Sequence, residues 1–330
     1  MQHLSLVYMA KPSYGGWVSF TAHLSQKYDL DLYKIGKRTE YLKSGGPRLR
    51  NYGYGVKYQN ITINDLVNNN SNILITAIDK NYYKYLDSFP DGTKIVIHDP
   101  TEVKGKSCQK VIDNLPRFKI FTIRKTVQKY LLDNFNLHSQ FLEHPFYEYP
   151  KTDVVHSKKQ NVSATSRIDF DKHTDIILRA NRLLPESKKI DIYGAKNDLY
   201  IYHHITNKLG LKNTFDHSYK GTFQKSFKDL DNILSKSKMI VDLSAIKNDG
   251  GGSQYTFLEA IYQGCVLVLN RKWIEGIKNT PFIEGYNCLL VDDENDLKKI
   301  ISSNKYNLKE INDNARELLQ PHIYVDWSNI

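Results

Sequence analysis

The chain has 330 residues with 46 Lys and Arg against 36 Asp and Glu, a formal net charge of +10 and a pI near 9.1. Hydrophobic content of 40% and charged content of 25% suit a soluble globular protein with room for two cores, and no apolar run approaches the roughly 20 residues that span a bilayer. The basic balance points either to a polyanionic partner, nucleic acid or a membrane surface, or to a lysine-rich solvated face.

The N-terminus runs Met-Gln-His-Leu-Ser-Leu-Val-Tyr-Met-Ala. It lacks the charged-then-apolar order of a secretory signal, so a cytoplasmic location is expected. Residues 4–9 read as a first strand, followed by the turn Tyr14-Gly15-Gly16-Trp17 and an amphipathic helix over 17–28. Further short apolar runs at 72–78, 94–98, 119–123 and 140–143 predict strands, with a helix over 126–135. A second series begins at 162–165 and continues at 189–193, 239–243, 265–269 and 288–291, with helices over 172–184 and 254–263. This strand–helix rhythm, occurring twice, predicts two doubly wound α/β domains with parallel sheets covered on both faces. The boundary is expected in the polar stretch 148–159, giving domains 1–150 and 151–330. Between the first helix and the second strand of that reading, residues 36–60 interleave basic and aromatic side chains around Gly45-Gly46-Pro47. Lys37, Arg38, Arg48, Arg50, Tyr52 and Tyr54 make this loop-like segment a candidate nucleic-acid contact, cations for phosphates and rings for bases. A surface hairpin in a chain with 23 tyrosines is the alternative. At the C-terminus 308–319 is amphipathic, and Trp327 is expected to anchor the tail by packing.

Four places carry chemistry. Gly250, Gly251, Gly252 and Ser253 precede the 254–263 helix, so backbone amides there can approach an anion that the helix dipole also favours. Glu259, in the second turn of that helix, can accept hydrogen bonds from sugar hydroxyls, and Gly264 ends the helix. A phosphate loop with an acid beyond it describes a nucleotide-sugar site. Arg167 and Lys172 follow the 162–165 strand, at the carboxyl end where open α/β sheets bind ligands, and can converge on a diphosphate. In the first half, Gly15 and Gly16 give a backbone-lined turn without the full dinucleotide fingerprint, which leaves a nicotinamide enzyme poorly supported. His98 and Asp99 end another strand; His98 is a candidate to orient an acceptor hydroxyl or take its proton, with Asp99 fixing its tautomer, or else a structural histidine. The three cysteines, Cys108, Cys265 and Cys288, are far apart and read as small buried hydrophobes, with no zinc-like Cys/His spacing.

Taken in order, Gly15-Gly16, Arg167 through Lys172, Tyr193-Gly194, the glycine loop into Glu259 and Gly285-Tyr286-Asn287-Cys288 resemble the retaining GT-B glycosyltransferases, the large family of sucrose- and glycogen-synthase-like enzymes. The resemblance covers most of the chain and is strongest over 162–300. It implies two Rossmann-like domains facing a cleft, the N-terminal one binding acceptor and the C-terminal one a nucleotide sugar. It also implies that Arg167 and Lys172 hold the donor diphosphate, the amides of 250–253 assist, Glu259 binds the ribose, and no metal is required. The second glutamate that the family usually carries eight residues before Glu259 is Gly251 here, which leaves the donor sugar open. A narrower similarity, in Met9-Ala10-Lys11, Gly15-Gly16, His98-Asp99, Tyr255-Thr256-Phe257-Leu258-Glu259 and Asp293-Glu294-Asn295-Asp296, is to the α-glucosyltransferases of T-even phages, which modify 5-hydroxymethylcytosine in DNA.

The expectation is therefore a UDP-sugar-dependent enzyme that transfers a glucosyl or arabinosyl group to a modified base flipped out of duplex DNA. Two rivals stand beside it: the same fold acting on a lipid-linked or surface polysaccharide, and a nucleic-acid-binding protein that has lost catalysis. Oligomeric state leaves no trace in the sequence.

Overall fold

A computed structural model describes residues 3–10, 15–36, 49–51, 54–155, 158–223, 226–245, 254–277 and 280–330. The chain forms two compact units, Met1–Glu148 with Pro321–Ile330, and Tyr149–Gln320. The boundary falls at the start of the expected polar stretch. The expected second domain runs to the C-terminus, whereas the last ten residues cluster with the first unit.

In the first unit the strands are β1 (Ser5–Met9), β2 (Leu32–Ile35), β3 (Leu49–Asn51), β4 (Lys57–Ile61), β5 (Ile73–Ile78), β6 (Lys94–Ile97), β7 (Lys119–Thr122) and β8 (Gln140–Phe141). They lie side by side in the order β3-β4-β2-β1-β5-β6-β7-β8, all parallel except β3 against β4. Every residue of β1, β5 and β6 is buried, as a parallel sheet covered on both faces requires. Two helices bear on the site, α1 (Gly16–Tyr28) and α2 (Lys125–Phe135). Seven strand and helix expectations in this half meet observed elements; β2, β3 and β4 are additional. The segment expected to be loop-like thus contains two strands. Lys57–Ile61 has no apolar period, and its strand is made by pairing, with Tyr33 opposite Gln59 and Ile35 opposite Ile61.

The C-terminal residues complete this unit. Trp327 is fully buried, packs edge-to-face on Phe20 with centroids 5.2 Å apart, and donates its indole N–H to the Glu143 carbonyl at 2.9 Å. The backbone N–H of Phe146 is taken by the His322 carbonyl at 3.0 Å, and the Lys27 ammonium reaches the carbonyls of His322 and Val325 at 3.2 Å each.

The second unit carries β9 (Asn161–Ala164), β10 (Ile190–Tyr193), β11 (Tyr219–Gly221), β12 (Ser237–Asp242), β13 (Val266–Asn270) and β14 (Leu289–Val291). The order is β11-β10-β9-β12-β13-β14, parallel throughout. Helices α3 (Thr174–Leu183), α4 (Tyr255–Tyr262) and α5 (Arg271–Glu275) follow β9, β12 and β13. Its core is aliphatic, from Val162 on β9 through Val241 on β12 and Val268 on β13 to Leu297 and Ile300 beneath. All three cysteines are buried and unpaired.

Both sheets reverse direction once. Chain order runs outward one way from β1 to β2 and the other way from β5 onward; likewise from β9 to β10, and from β12 onward. A doubly wound sheet opens a crevice outside the carboxyl ends of its strands at such a reversal. The switch points, β1/β5 and β9/β12, therefore mark where each unit can hold a ligand.

Candidate active site

At the β9/β12 switch point, β9 leads into a loop carrying Arg167 and then a 3-10 turn, Phe170–Lys172, before α3. The loop is pinned from the neighbouring strand. Ile168 N–H donates to the Ala195 carbonyl and Asn197 N–H to the Ile168 carbonyl, both at 2.9 Å, and the Asn197 amide holds the Asp169 carboxylate at 2.9 Å. Gly194 makes that approach possible: its φ is +138°, and a Cβ there would lie 2.4 Å from the Ser166 carbonyl oxygen. Tyr193 ends β10, half-buried, its phenol pushed above the usual range by burial and then by the Asp191 charge. Thus Gly194 shapes the loop that carries Arg167.

Arg167 and Lys172 do converge, and the anion between them is Asp171. The Arg167 guanidinium contacts both Asp171 oxygens at 3.0 and 3.2 Å and reaches Asp169 at 3.4 Å, while Lys172 Nζ lies 3.9 Å from Asp171. Lys172 also donates to the Ser244 hydroxyl at 2.7 Å, and that hydroxyl donates in turn to the Asp242 carboxylate. Asp242, the last residue of β12, is 2% exposed; its Oδ1 also takes the Ser244 N–H at 3.0 Å, and its Oδ2 has no hydrogen-bond partner among the described residues. A cation at a strand's end is thus held through one hydroxyl by a buried carboxylate. Lys172 is followed by His173, which sits in the left-handed region at φ 48° and stacks on Trp273 of α5, rings 6.4 Å apart.

Gly250, Gly251, Gly252 and Ser253 lie outside the described residues. Glu259 sits in α4 as expected, but it is 2% exposed rather than lining open surface, because α4 buries all but its polar edge. After burial itself, its charge is the largest influence raising the phenols of Tyr149 and Tyr255 well above their usual range. Gly264, at φ +82°, closes the helix, with the Cys265 N–H returning to the Ala260 carbonyl at 2.9 Å.

At the β1/β5 switch point, Gly15 caps α1 with φ +109°, a conformation that L side chains rarely adopt. Among the described residues, no heavy atom beyond the chain neighbours and the helix's own backbone lies within 4 Å of a Cβ built on Gly15 or Gly16 at the amino end of α1. His98 follows β6. It is buried, its Nε2 meets the Thr76 carbonyl at 2.7 Å, and Phe20 packs edge-on at 4.9 Å. Burial in this apolar setting lowers its pKa to about 4. The expected tautomer role of Asp99 is corrected: its carboxylate caps its own turn, accepting from Thr101 N–H at 2.9 Å, and pairs with Arg124 at 3.3 Å. The Thr76 carbonyl fixes the imidazole instead, since a carbonyl accepts only from a protonated Nε2.

Of the candidate nucleic-acid contacts, Lys37, Arg38, Arg48 and Tyr52 lie outside the described residues, and Arg50 is placed on β3. Tyr54 is corrected. It is a core residue, 4% exposed, with its hydroxyl 2.7 Å from Ser19 Oγ and its ring against His23. Lys34 and Tyr58, on adjacent strands β2 and β4, form a cation–π pair at 5.6 Å. Among the described residues no cluster of three or more His, Cys, Asp or Glu is arranged to hold a metal, and no helix is long and apolar enough to cross a membrane.

Ser244, Asp242 and the His173–Trp273 stack are features beside the candidate site that pattern reading passed over. Asp242 had a signal, a lone carboxylate inside the apolar run 239–243.

Two doubly wound sheets, parallel but for β3 and each with a switch point, together with the solved structures they match, place the chain in the GT-B fold. No family model and no curated protein sequence matches it. Among solved structures, HepE of Anabaena in complex with UDP and glucose is similar over 97% of this chain and 96% of that one, with 13% identity and a TM-score of 0.63. The T4 alpha-glucosyltransferase in complex with UDP and a 13-mer DNA is similar over 98% of this chain and 96% of that one, at 18% identity and a TM-score of 0.67. TarM of S. aureus matches 75% of this chain with 51% of its own, at 16% identity and a TM-score of 0.53.

Proposed function

We propose that the chain is a retaining glycosyltransferase that moves a sugar from a UDP-sugar to the hydroxymethyl group of a modified cytosine in DNA. The observation that carries the transfer reading is the pair Arg167 and Lys172, converging on one carboxylate at the switch point of a GT-B sheet. A donor diphosphate takes the position that Asp171 fills, between a guanidinium fork and a point charge. As the sugar–oxygen bond breaks, negative charge builds on that diphosphate, and the two cations stabilise it without reorganising. The amides of 250–253 are assigned the same task, Glu259 the nucleotide ribose, and no metal is needed. We assign donor binding to the second unit. The first unit takes the acceptor, with the Gly15-Gly16 turn and His98 at its switch point and His98 assigned to the reacting hydroxyl.

Two features support DNA as acceptor. The net charge is +10, and the basic–aromatic segment 36–60 supplies cations and rings in one stretch. The T4 alpha-glucosyltransferase solved with DNA has the same fold over nearly its whole length. A duplex base has to be flipped out to be reached.

The test is UDP release with a panel of UDP-sugars against plain DNA, 5-hydroxymethylcytosine DNA and a polysaccharide or lipid-linked acceptor. Release that depends on the modified DNA supports the proposal. Release driven by the glycan or lipid acceptor moves the acceptor to the cell surface. No release with any pair, alongside retained DNA binding, leaves a binding protein.

A further inference from the structure

One carboxyl group in the first unit is buried between donors that come from different elements. Glu102 lies in the 3-10 turn Pro100–Val103 that follows β6. Its Oε1 accepts the indole N–H of Trp17 at 2.8 Å, and its Oε2 accepts the backbone N–H of His98 at 3.1 Å. Trp17 is the second residue of α1, directly after Gly16. The Thr21 hydroxyl lies 2.8 Å from both the Trp17 carbonyl oxygen and the Thr76 hydroxyl, and the Thr76 carbonyl holds His98 Nε2 at 2.7 Å. The contacts close a ring: Glu102, Trp17, Thr21, Thr76, His98 and back to Glu102.

We propose that Glu102 is a positioning residue for glycosyl transfer, locking the Gly15-Gly16 turn and His98 into one rigid frame at the β1/β5 switch point. The proposal rests on the reading of this unit as the acceptor side. Without Glu102, the hydrogen-bonded path from the first turn of α1 to the end of β6 in this ring runs through the Thr21–Thr76 pair alone, beside the edge-on packing of Phe20 on His98. A buried carboxyl is costly and is kept where its geometry is used. Burial raises its pKa to about 8 even though both N–H donors and Arg124 pull the other way. The other charges facing it, Asp99 and Arg124, satisfy each other at 3.3 Å.

Glu102→Gln keeps the shape and replaces one acceptor with an NH2 group, which faces either the indole or the His98 amide with a donor. The expected result is a fall in kcat on the order of 100-fold, as for misplacement of a reacting group by about 1 Å. UDP affinity, a property of the second unit, stays within about twofold. Trp17→Phe opens the ring from the other end and moves kcat in the same direction. It serves if Glu102→Gln does not fold. 15N NMR is expected to show His98 as the Nε2–H tautomer in the wild type and its imidazole signals shifted in both variants. A folded Glu102→Gln with wild-type kcat and an unshifted His98 overturns the proposal. So does a kcat loss that tracks melting temperature and UDP affinity together, the mark of a purely structural residue. A wild type that consumes no donor with any acceptor overturns the glycosyltransferase reading instead, and this proposal with it.

Discussion

In the proposed reading, Asp171 decides how the donor cations rest between turnovers. Its pair with Arg167 is exposed and spaced i,i+4, a geometry worth only about 0–1 kcal/mol, so an incoming diphosphate displaces it at little cost. Asp171→Asn is therefore expected to tighten UDP binding by less than about tenfold, measured by calorimetry; weakened binding would mean that Asp171 holds the loop in shape. Lys172 is different, since its side chain is only 16% exposed and is held by Ser244. Lys172→Ala is expected to lower kcat on the order of 100- to 1,000-fold while leaving DNA affinity in place. Equal loss of DNA binding would make it an acceptor contact. Gly194→Ala forces a Cβ against the Ser166 carbonyl at an unfavourable φ and should lower stability by roughly 1–3 kcal/mol and loosen UDP binding together. At this scale the sequence placed charges and glycines at strand ends, as with Arg167, Lys172 and Gly15, where the structure also has them. It was silent about partners. Nothing in the spacing of His98 and Asp99 shows that the carboxylate turns to Thr101 and Arg124, because that depends on which neighbours the turn presents.

Elements were legible in proportion to their burial. The ten expected strands are all present, most of them because buried parallel strands are continuous apolar runs, as in β5 and β13; the two-residue edge strand β8 is the exception. Strands near the rim of the sheet need only backbone pairing, and β4, held between β3 and β2 with no apolar period, escaped the pattern for that reason. Tyr54 escaped in the opposite sense: a tyrosine between lysines and arginines reads as surface, yet its hydroxyl finds Ser19 and its ring enters the core. The C-terminal tail was legible only through Trp327, whose large apolar surface demanded a place to pack. Trp327→Ala removes a fully buried indole and should cost about 3–5 kcal/mol of the first unit's stability. Urea unfolding followed with unit-specific probes reads this; an unchanged midpoint would show that the tail is dispensable.

Across the whole molecule, the first unit gathers ionisable groups that resist charging. His98 and His322 have their pKa values lowered to about 4 by burial, and His144 is lowered as well. The unfolded chain binds the protons of His98 and His322 near pH 6.5 while the folded chain waits until about pH 4, so stability is intact above about 6.5 and is lost as the pH falls through that window. Glu102, raised to about 8, runs the other way: its contribution is full below about 4.5 and is lost as the pH rises through 8. Stability of this unit is therefore expected to peak near about pH 6.5 and to fall on both sides, read from urea midpoints at steps of pH. A profile still rising at pH 8 would contradict the burial of Glu102.

The central claim is transfer of a sugar onto a modified base. Mass spectrometry of nucleosides recovered from duplex DNA, after incubation with the purified protein and a panel of UDP-sugars, tests it most directly. A hexose or pentose mass added to 5-hydroxymethylcytosine and absent from plain cytosine is the predicted result, and it names the sugar class at the same time. Unmodified nucleosides from DNA carrying 5-hydroxymethylcytosine, while the donor is consumed on another acceptor, would contradict it.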